Sequence, residues 1–200
     1  MNQRMIRAKY DEKSITIYQA YNKIIAQSSV SNQTFISPPF KKKRMTWIKP
    51  SFTWMMYRSG WASKENQEHI LAVRIKRAGF EWALQNSCLS HFDATVYSSY
   101  EEWVNSKLAP VRIQWDPEKD IFLQPLPYRS IQIGLSGIAM DNYLTNWIMH
   151  IDDITDYCNK IHQLIKENKI SLAIDLLPIE KPYPLTKNTA STINSDYLTD

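Results

Sequence analysis

The sequence predicts a single α+β domain in which a mixed or antiparallel sheet is flanked by helices. Its 200 residues are enough to enclose one hydrophobic core, and 44% of them are apolar. Residues 69–76 (HILAVRIK) alternate apolar and polar side chains, which is typical of a strand with one buried face. Strands and helices follow one another without the regular rhythm of a parallel α/β fold. We therefore expect residues 1–185 to form one domain.

The individual elements follow from local patterns. Strands are predicted where β-favouring residues alternate, at 14–18, 69–76, 111–115 and 130–135. Helices are predicted at 22–33, 51–57, 79–89, 138–150 and 154–168. Asn22 and Ser51 can accept hydrogen bonds from the first turns of the first two helices, and Gly60 can end the second.

The end of the chain differs in composition from the rest. Beyond Leu177 and Pro178 the sequence becomes rich in Pro, Thr, Ser and Asn and loses apolar periodicity. Such a composition supplies little surface to bury against a core. We expect residues 186–200 to be a flexible polar tail whose deletion leaves the melting temperature almost unchanged.

Several functional classes are disfavoured by what the sequence lacks. It contains neither a G-x-G-x-x-G nor a P-loop string, and it has four glycines in all. No apolar run approaches the ~18 to 20 residues of a membrane span, and the polar start lacks the apolar region of a signal peptide. Cys88 and Cys158 lack C-x-x-C spacing, so we expect reduced, buried thiols. We expect a cytoplasmic protein with no membrane partner.

Charge is distributed unevenly along the chain. Residues 1–77 carry 15 Lys and Arg against 4 Asp and Glu, whereas residues 78–200 carry 9 against 16. This asymmetry indicates a basic face that meets an anionic partner. The alternative is that the two halves of the chain neutralise each other across the fold.

The stretch 41–64 is the strongest candidate for a binding surface. It interleaves cations with aromatic residues and contains no acid: Lys41, Lys42, Lys43, Arg44, Lys49, Arg58 and Lys64 alternate with Trp47, Phe52, Trp54, Tyr57 and Trp61. Cations neutralise phosphates and aromatic faces stack on bases, so this mixture suits a nucleotide or a single strand. The candidate ligand-binding residues here are Arg44, Lys49, Trp54 and Arg58. The alternative is that the aromatics belong to the core and the cations are merely solvated.

Helical geometry divides the side chains of residues 51–60. Phe52, Met55 and Met56 share one side and are expected to be buried. Trp54 and Arg58 lie one turn apart on another side, where packing on the ring could hold the guanidinium towards a phosphate. The alternative for Arg58 is an ion pair with a carboxylate from the acidic second half.

Two further segments place polar residues where a ligand could meet them. Tyr18 and Gln19 lie where a predicted strand meets a predicted helix, although core tyrosines would give the same pattern. Ser130 and Gln132 share one face of the 130–135 strand, which is either the wall of a pocket or the solvent side. We predict that Gln132 faces the same cavity as Tyr18 or Gln19. The histidines show no metal-ligand spacing, so no metal site is expected.

Six segments of the chain carry a resemblance to a known family. They are IRAKY at 6–10, IYQAYN at 17–22, RMTWIKPSFTWMMYRSGW at 44–61, QWDPE at 114–118, YRSIQIGL at 128–135 and LLPIEKPYP at 176–184. With these strings the chain resembles, along nearly its whole length, a family classified as a domain of unknown function (family 4291). The resemblance implies no catalytic residues.

Two functions from different classes fit these residues. The order of strands is similar to the split sheet of ADP-ribosyltransferases, which would make NAD the cofactor and Tyr18, Gln19 and Gln132 the catalytic residues. A carboxylate commonly orients the nicotinamide ribose in that superfamily. Gln132 stands there instead, and an amide stabilises a developing positive charge less well. The alternative is a noncatalytic module that binds RNA or single-stranded DNA through residues 41–64.

Overall fold

A computed structural model describes residues 3–197, and strands and helices alternate irregularly along them. The strands are β1 (Arg7–Ala8), β2 (Ser14–Tyr21), β3 (Thr46–Ile48), β4 (His69–Lys76), β5 (Ser87–Leu89), β6 (Val111–Lys119), β7 (Pro125–Leu135), β8 (Ile148–Asp153) and β9 (Lys181–Pro182). The helices are α1 (Lys23–Asn32), α2 (Phe52–Ser59), α3 (Arg77–Gln85), α4 (Tyr100–Ser106), α5 (Gly137–Asn142), α6 (Thr155–Lys166), α7 (Ile170–Asp175) and α8 (Lys187–Ile193), with a π-helical turn at Tyr143–Trp147.

Two sheets form the framework of the domain. One has the strand order β2-β4-β8, and the other has the order β3-β7-β6-β5. All neighbours in these sheets are antiparallel except β5 and β6, which run parallel. A short antiparallel pair, β1 with β9, lies apart from both. The fold is therefore the predicted α+β class with a mixed, mainly antiparallel arrangement.

The two sheets are joined at one edge by a single bridge. The Tyr18 amide donates to the Lys49 carbonyl at 2.7 Å, and the Lys49 amide donates to the Tyr18 carbonyl at 3.3 Å. Lys49 comes directly after β3, and Tyr18 lies in the middle of β2. This seam places the start of the 41–64 stretch between the two sheets.

Helix α2 begins and ends where its sequence predicts. The Ser51 hydroxyl accepts a hydrogen bond from the Trp54 amide at 3.2 Å, which satisfies one of the free donors of the first turn. Gly60 ends the helix with φ at 60°, a left-handed conformation that glycine adopts without a Cβ clash. Phe52, Met55 and Met56 are buried, as the helical spacing predicts.

The hydrophobic core has two parts. The larger part packs apolar residues of both sheets against α1, α3 and the π-helical turn, and includes Ile17, Val73, Phe80, Ile133 and Tyr143. The smaller part packs α2 against α6 and α7, and includes Phe52, Met56, Trp61, Cys158 and Ile161. Cys88 and Cys158 are both free and buried, as predicted. Helix α2 therefore forms a wall between the core and the seam.

Two predicted helices are shorter than expected, because the residues at their C-terminal ends pair with strands instead. Residues 87–89, predicted as helical, form β5 against β6. Residues 148–153, the first three of which were predicted as helical, form β8 against β4. Cross-strand pairing between distant segments overrides a local helical pattern at both places.

The prediction of a flexible tail from residue 186 is wrong for residues 186–197. Helix α8 buries Thr189, Ala190 and Ile193, and the Ile193 carbonyl accepts a hydrogen bond from the Trp115 indole at 2.7 Å. Asp196 accepts hydrogen bonds from the backbone near the chain start. These few buried residues are enough to hold the helix in place, because α8 packs against both α3 and β5. Residues 198–200 lie outside the described part of the chain.

None of the helices within residues 3–197 combines the length and apolar character that crossing a membrane would require.

Candidate functional site

A cleft of about 530 Å³ opens at the seam between the two sheets. Its walls come from the end of β2, the segment before β3, β3 itself, α2 and the turn after α2. We call it the basic cleft, and its principal lining residues are Gln19, Tyr21, Phe40, Lys41, Arg44, Thr46, Trp47, Lys49, Met55, Arg58 and Glu65. Four of the predicted site residues, Gln19, Arg44, Lys49 and Arg58, therefore meet in one cavity.

The charge of the basic cleft is strongly one-sided. Lys41, Arg44, Lys49 and Arg58 line it, and Glu65 is the acid in its lining. Within residues 3–197, none of these four cations forms an ion pair with a carboxylate. Within these residues Arg58 therefore lacks the ion pair with a carboxylate of the second half that was its alternative. The two halves of the chain do meet in an ion pair elsewhere, between Arg4 and Asp93 at 3.5 Å.

Arg58 lies in the last turn of α2 and is exposed. The Lys64 ammonium donates to the carbonyls of Tyr57 at 3.2 Å and Arg58 at 3.1 Å, so it satisfies acceptors that the helix end leaves free. This arrangement fixes the backbone beneath Arg58. Its side chain keeps its donors available to a ligand in the cleft.

Lys49 occupies an unusual environment for a lysine. It is 5% exposed, although it lines the cleft. Its ammonium nitrogen lies 3.5 Å from the Trp47 carbonyl oxygen and 5.3 Å from the centre of the Trp54 ring. Burial, followed by the positive charge of Arg58, lowers the pKa of Lys49 to about 7, and the negative charge of Asp116 opposes this only in part.

The structure corrects the position of Trp54. It was expected beside Arg58 on an exposed side of α2, but it is only 5% exposed and its indole nitrogen is buried without a hydrogen-bond partner among residues 3–197. A helix of eight residues packed between a sheet and a second core cluster has little free surface. Trp54 packs beneath Lys49 and does not line the cleft.

Gln19 is held in a buried hydrogen-bond network behind the cleft wall. Its amide nitrogen lies 2.8 Å from the Thr46 hydroxyl and 2.9 Å from the Tyr21 hydroxyl. Its amide oxygen accepts a hydrogen bond from the Tyr143 hydroxyl at 2.7 Å. Because Gln19 is only 3% exposed and all its polar atoms are engaged, this network ties β2 to β3 and to the π-helical turn. These contacts indicate that Gln19 holds the wall of the basic cleft in position.

Tyr18 points to the other side of β2. It lines a second cavity of about 570 Å³ on the face of the β2-β4-β8 sheet, which we call the sheet-face groove. The groove is also lined by Lys9, Asp11, Thr16, Arg74, His150 and Asp152. The Tyr18 ring is buried and packs edge-on against Phe52 at 5.5 Å between ring centres. Adjacent residues of one strand face opposite sides, so Tyr18 and Gln19 serve different cavities.

Gln132 and Ser130 line neither the basic cleft nor the sheet-face groove. The Gln132 amide donates to a carboxylate oxygen of Asp116, and the Gln114 amide donates to the other oxygen at 2.9 Å. Ser130 is buried opposite Asp116 in the strand register. The three residues predicted as catalytic, Tyr18, Gln19 and Gln132, are therefore not brought together around one cavity.

Sequence reasoning missed a pair of carboxylates at the start of α2. Glu118 accepts a hydrogen bond from the Ser51 hydroxyl at 2.9 Å, and Glu180 accepts one from the Phe52 amide at 2.7 Å. Burial raises the pKa of both, that of Glu180 to about 8. Both glutamates lie in strings that carry the family resemblance. That position was the signal in the sequence that could have identified them.

A metal site has no support in residues 3–197, where no three His, Cys, Asp or Glu side chains group as metal ligands.

Comparison with known proteins gives a family and no function. No curated protein and no solved structure matches the chain. The family model described as "Domain of unknown function (DUF4291)" matches residues 5–183, and the chain therefore belongs to that family.

Proposed function

We propose that the basic cleft binds a phosphate-bearing ligand of the nucleotide class. The observation that carries this proposal is the pair of guanidinium groups, Arg44 and Arg58, that line one cleft without a carboxylate partner among residues 3–197. A guanidinium presents a planar fork of donors that matches two phosphate oxygens at once. Two such groups at one cavity favour an anionic ligand.

The other walls of the cleft suit the remainder of a nucleotide. Trp47 and Tyr21, which are partly buried, offer aromatic surface on which a base can stack. The volume of about 530 Å³ falls within the range of about 300 to 1,000 Å³ that is usual for small-molecule sites. A defined cavity of this size favours one nucleotide over an open track for a long strand.

NAD is one candidate within this class, because it carries two phosphates and two ring systems. The ADP-ribosyltransferase hypothesis further requires groups that act on the nicotinamide ribose. The separation of Tyr18 and Gln132 from the cleft removes the arrangement on which that hypothesis depended. We therefore propose NAD as a ligand to be tested and do not extend the proposal to ADP-ribosyl transfer.

Calorimetric titration with ATP, NAD and a short single-stranded oligonucleotide tests the proposal. The parent protein should bind at least one of the two nucleotides. The double variant Arg44→Ala/Arg58→Ala should bind it at least about tenfold more weakly, since each charge-assisted contact contributes about 1.5 to 3 kcal/mol. Lys42→Ala is the matched control, because Lys42 is exposed and does not line the cleft.

The same titration distinguishes the proposed nucleotide site from the alternative, a noncatalytic module that binds nucleic acid. A single strand that contacts several cations loses affinity steeply as salt rises, because its binding releases several counterions. If the protein binds the oligonucleotide with a steep salt dependence and binds neither ATP nor NAD, the ligand of the cleft is a single strand and not a nucleotide. Equal binding by the parent and the double variant would refute the basic cleft as the site.

A further inference from the structure

We propose that Lys49 is a nucleophilic amine that forms an imine with the carbonyl carbon of a phosphate-bearing aldehyde held in the basic cleft. This inference rests on the proposed function, since it needs the cleft to hold the phosphate. It adds a chemical step and a further ligand class, which carries an aldehyde beside the phosphate and so differs from ATP and NAD.

The first support is the way in which Lys49 is fixed. Its amide and carbonyl are both bonded to Tyr18 in the other sheet, so its backbone is held from two sides. The residue is 5% exposed and lines the cleft. An amine held at the edge of a cavity loses little freedom when it attacks a bound ligand.

The second support is the poor solvation of a charged Lys49. An ammonium group has three donors, and the contacts around this one are a carbonyl at 3.5 Å and the Trp54 ring at 5.3 Å. No carboxylate of residues 3–197 lies within ion-pair distance of it. A buried amine without a counter-ion is favoured in its neutral, nucleophilic form.

The two charges that act on Lys49 oppose each other, and the positive one has the larger effect. Arg58, from α2, opposes a second positive charge, whereas Asp116, from β6, favours it more weakly. The resulting pKa of about 7 leaves a substantial share of the amine neutral at neutral pH. Arg58 would therefore serve twice, by holding the phosphate and by keeping Lys49 unprotonated.

The step itself requires no further reagent. The Lys49 lone pair attacks the carbonyl carbon, and the electrons of the carbon–oxygen π bond move to the oxygen, which gains a proton. The nitrogen loses its two protons over the sequence, and the oxygen leaves as water. An imine and one water molecule are formed from one amine and one aldehyde, with no net oxidation or reduction.

Pyridoxal 5′-phosphate and 5′-deoxypyridoxal, each trapped by borohydride, form a matched pair of probes, because neither can close its aldehyde as an internal hemiacetal. Peptide mapping by mass spectrometry should find the label on Lys49, about tenfold more from the phosphorylated aldehyde. Lys49→Arg should lose that label, with circular dichroism as a check of folding. If this variant does not fold, protection of Lys49 in the parent by inorganic phosphate provides the second measurement.

The outcomes separate this inference from the proposed function. Labelling confined to the exposed Lys41, Lys42 and Lys43, in a protein that still binds ATP or NAD through Arg58, would overturn the role of Lys49 alone. Equal labelling of Lys49 by both aldehydes would overturn the phosphate requirement of this step, whereas the proposed function would fail only if the parent bound neither ATP nor NAD. Lys49 labelling that depends on the phosphate group and is blocked by inorganic phosphate would support both.

Discussion

The basic cleft and the sheet-face groove have similar volumes, about 530 and 570 Å³, and opposite charge organisation. The groove mixes Lys9 and Arg74 with Asp11 and Asp152, and His150 lies 2.9 Å from Asp152. The cleft gathers its cations without pairing them. Size therefore does not distinguish the two cavities, whereas the balance of charge in their linings does, because an excess of cations over acids attracts an incoming anion.

The difference arises from how each cavity is built. The groove lies on the face of one sheet, where Arg74 stands between Thr16 and His150 in the strand register and its positive charge helps to lower the pKa of Asp11. The cleft lies at the junction of two sheets and a helix, where cations from before β3, directly after it and the end of α2 line one cavity. Each of the following changes tests whether this distinction controls stability or binding.

The largest effect is expected from Gln19→Leu. This change leaves the buried hydroxyl of Tyr143 without the acceptor that it now uses, and it removes donors from Thr46 and Tyr21. The free energy of unfolding should fall by about 2 to 4 kcal/mol, which lowers the melting temperature by about 5 to 15 °C. Thr16→Val, in the groove, is the control and should change stability by less than about 0.5 kcal/mol. Equal losses would show that the cleft wall has no special support.

Arg58→Lys should weaken nucleotide binding by about 1 to 3 kcal/mol while leaving stability nearly unchanged. The charge remains, but the planar fork that matches two phosphate oxygens is lost. Arg74→Lys makes the same change in the groove and should leave affinity unaltered. Calorimetry and thermal melting on both variants decide the matter, and a greater loss of affinity in Arg74→Lys would move the phosphate site to the groove.

Glu180→Gln should remove a pH dependence that comes from the opposite end of α2. Glu180 has a folded pKa of about 8 against about 4.3 when unfolded, so the folded state binds more protons between these values. The contribution of Glu180 to stability is therefore fully present below about pH 4 and is lost as pH rises through 8. At pH 8.5 the variant should melt a few degrees above the parent, and at pH 5 the two should agree closely.

Glu12→Gln is the control for this comparison, because Glu12 is exposed in the loop before β2. Melting curves of the parent and both variants across this pH range should show a changed slope for Glu180→Gln alone. Equal slopes for Glu180→Gln and the parent between pH 5 and 7 would contradict the raised pKa.

The smallest effect is expected from Lys42→Ala. Lys42 is exposed and lies outside the cleft lining, so its ammonium adds only long-range attraction that salt screens. Nucleotide affinity should change by less than about 0.5 kcal/mol and this difference should vanish in high salt. A loss comparable with that of Arg58→Lys would show that total charge, and not cleft geometry, determines binding.

Local chemistry made part of the site predictable. The capping residues Ser51 and Gly60 and the spacing of Phe52, Met55 and Met56 fixed α2, since these signals act within one or two turns. The gathering of Arg44, Lys49 and Arg58 in one short segment also pointed to the cleft. Trp54 was misplaced because helical spacing tells which residues share a side and not how much of the helix other elements cover.

The sequence by itself determined the α+β class, the family, the position of α2 and the excess of cations near the cleft. Only the tertiary structure decided that Lys49 is buried, that Gln19 supports a wall, that Tyr18 faces a separate groove and that α8 docks on the core. The physical reason is the separation along the chain over which each effect acts. Propensity and periodicity act between near neighbours, whereas burial and charge pairing depend on segments far apart in the chain, such as Tyr143 meeting Gln19 across the fold.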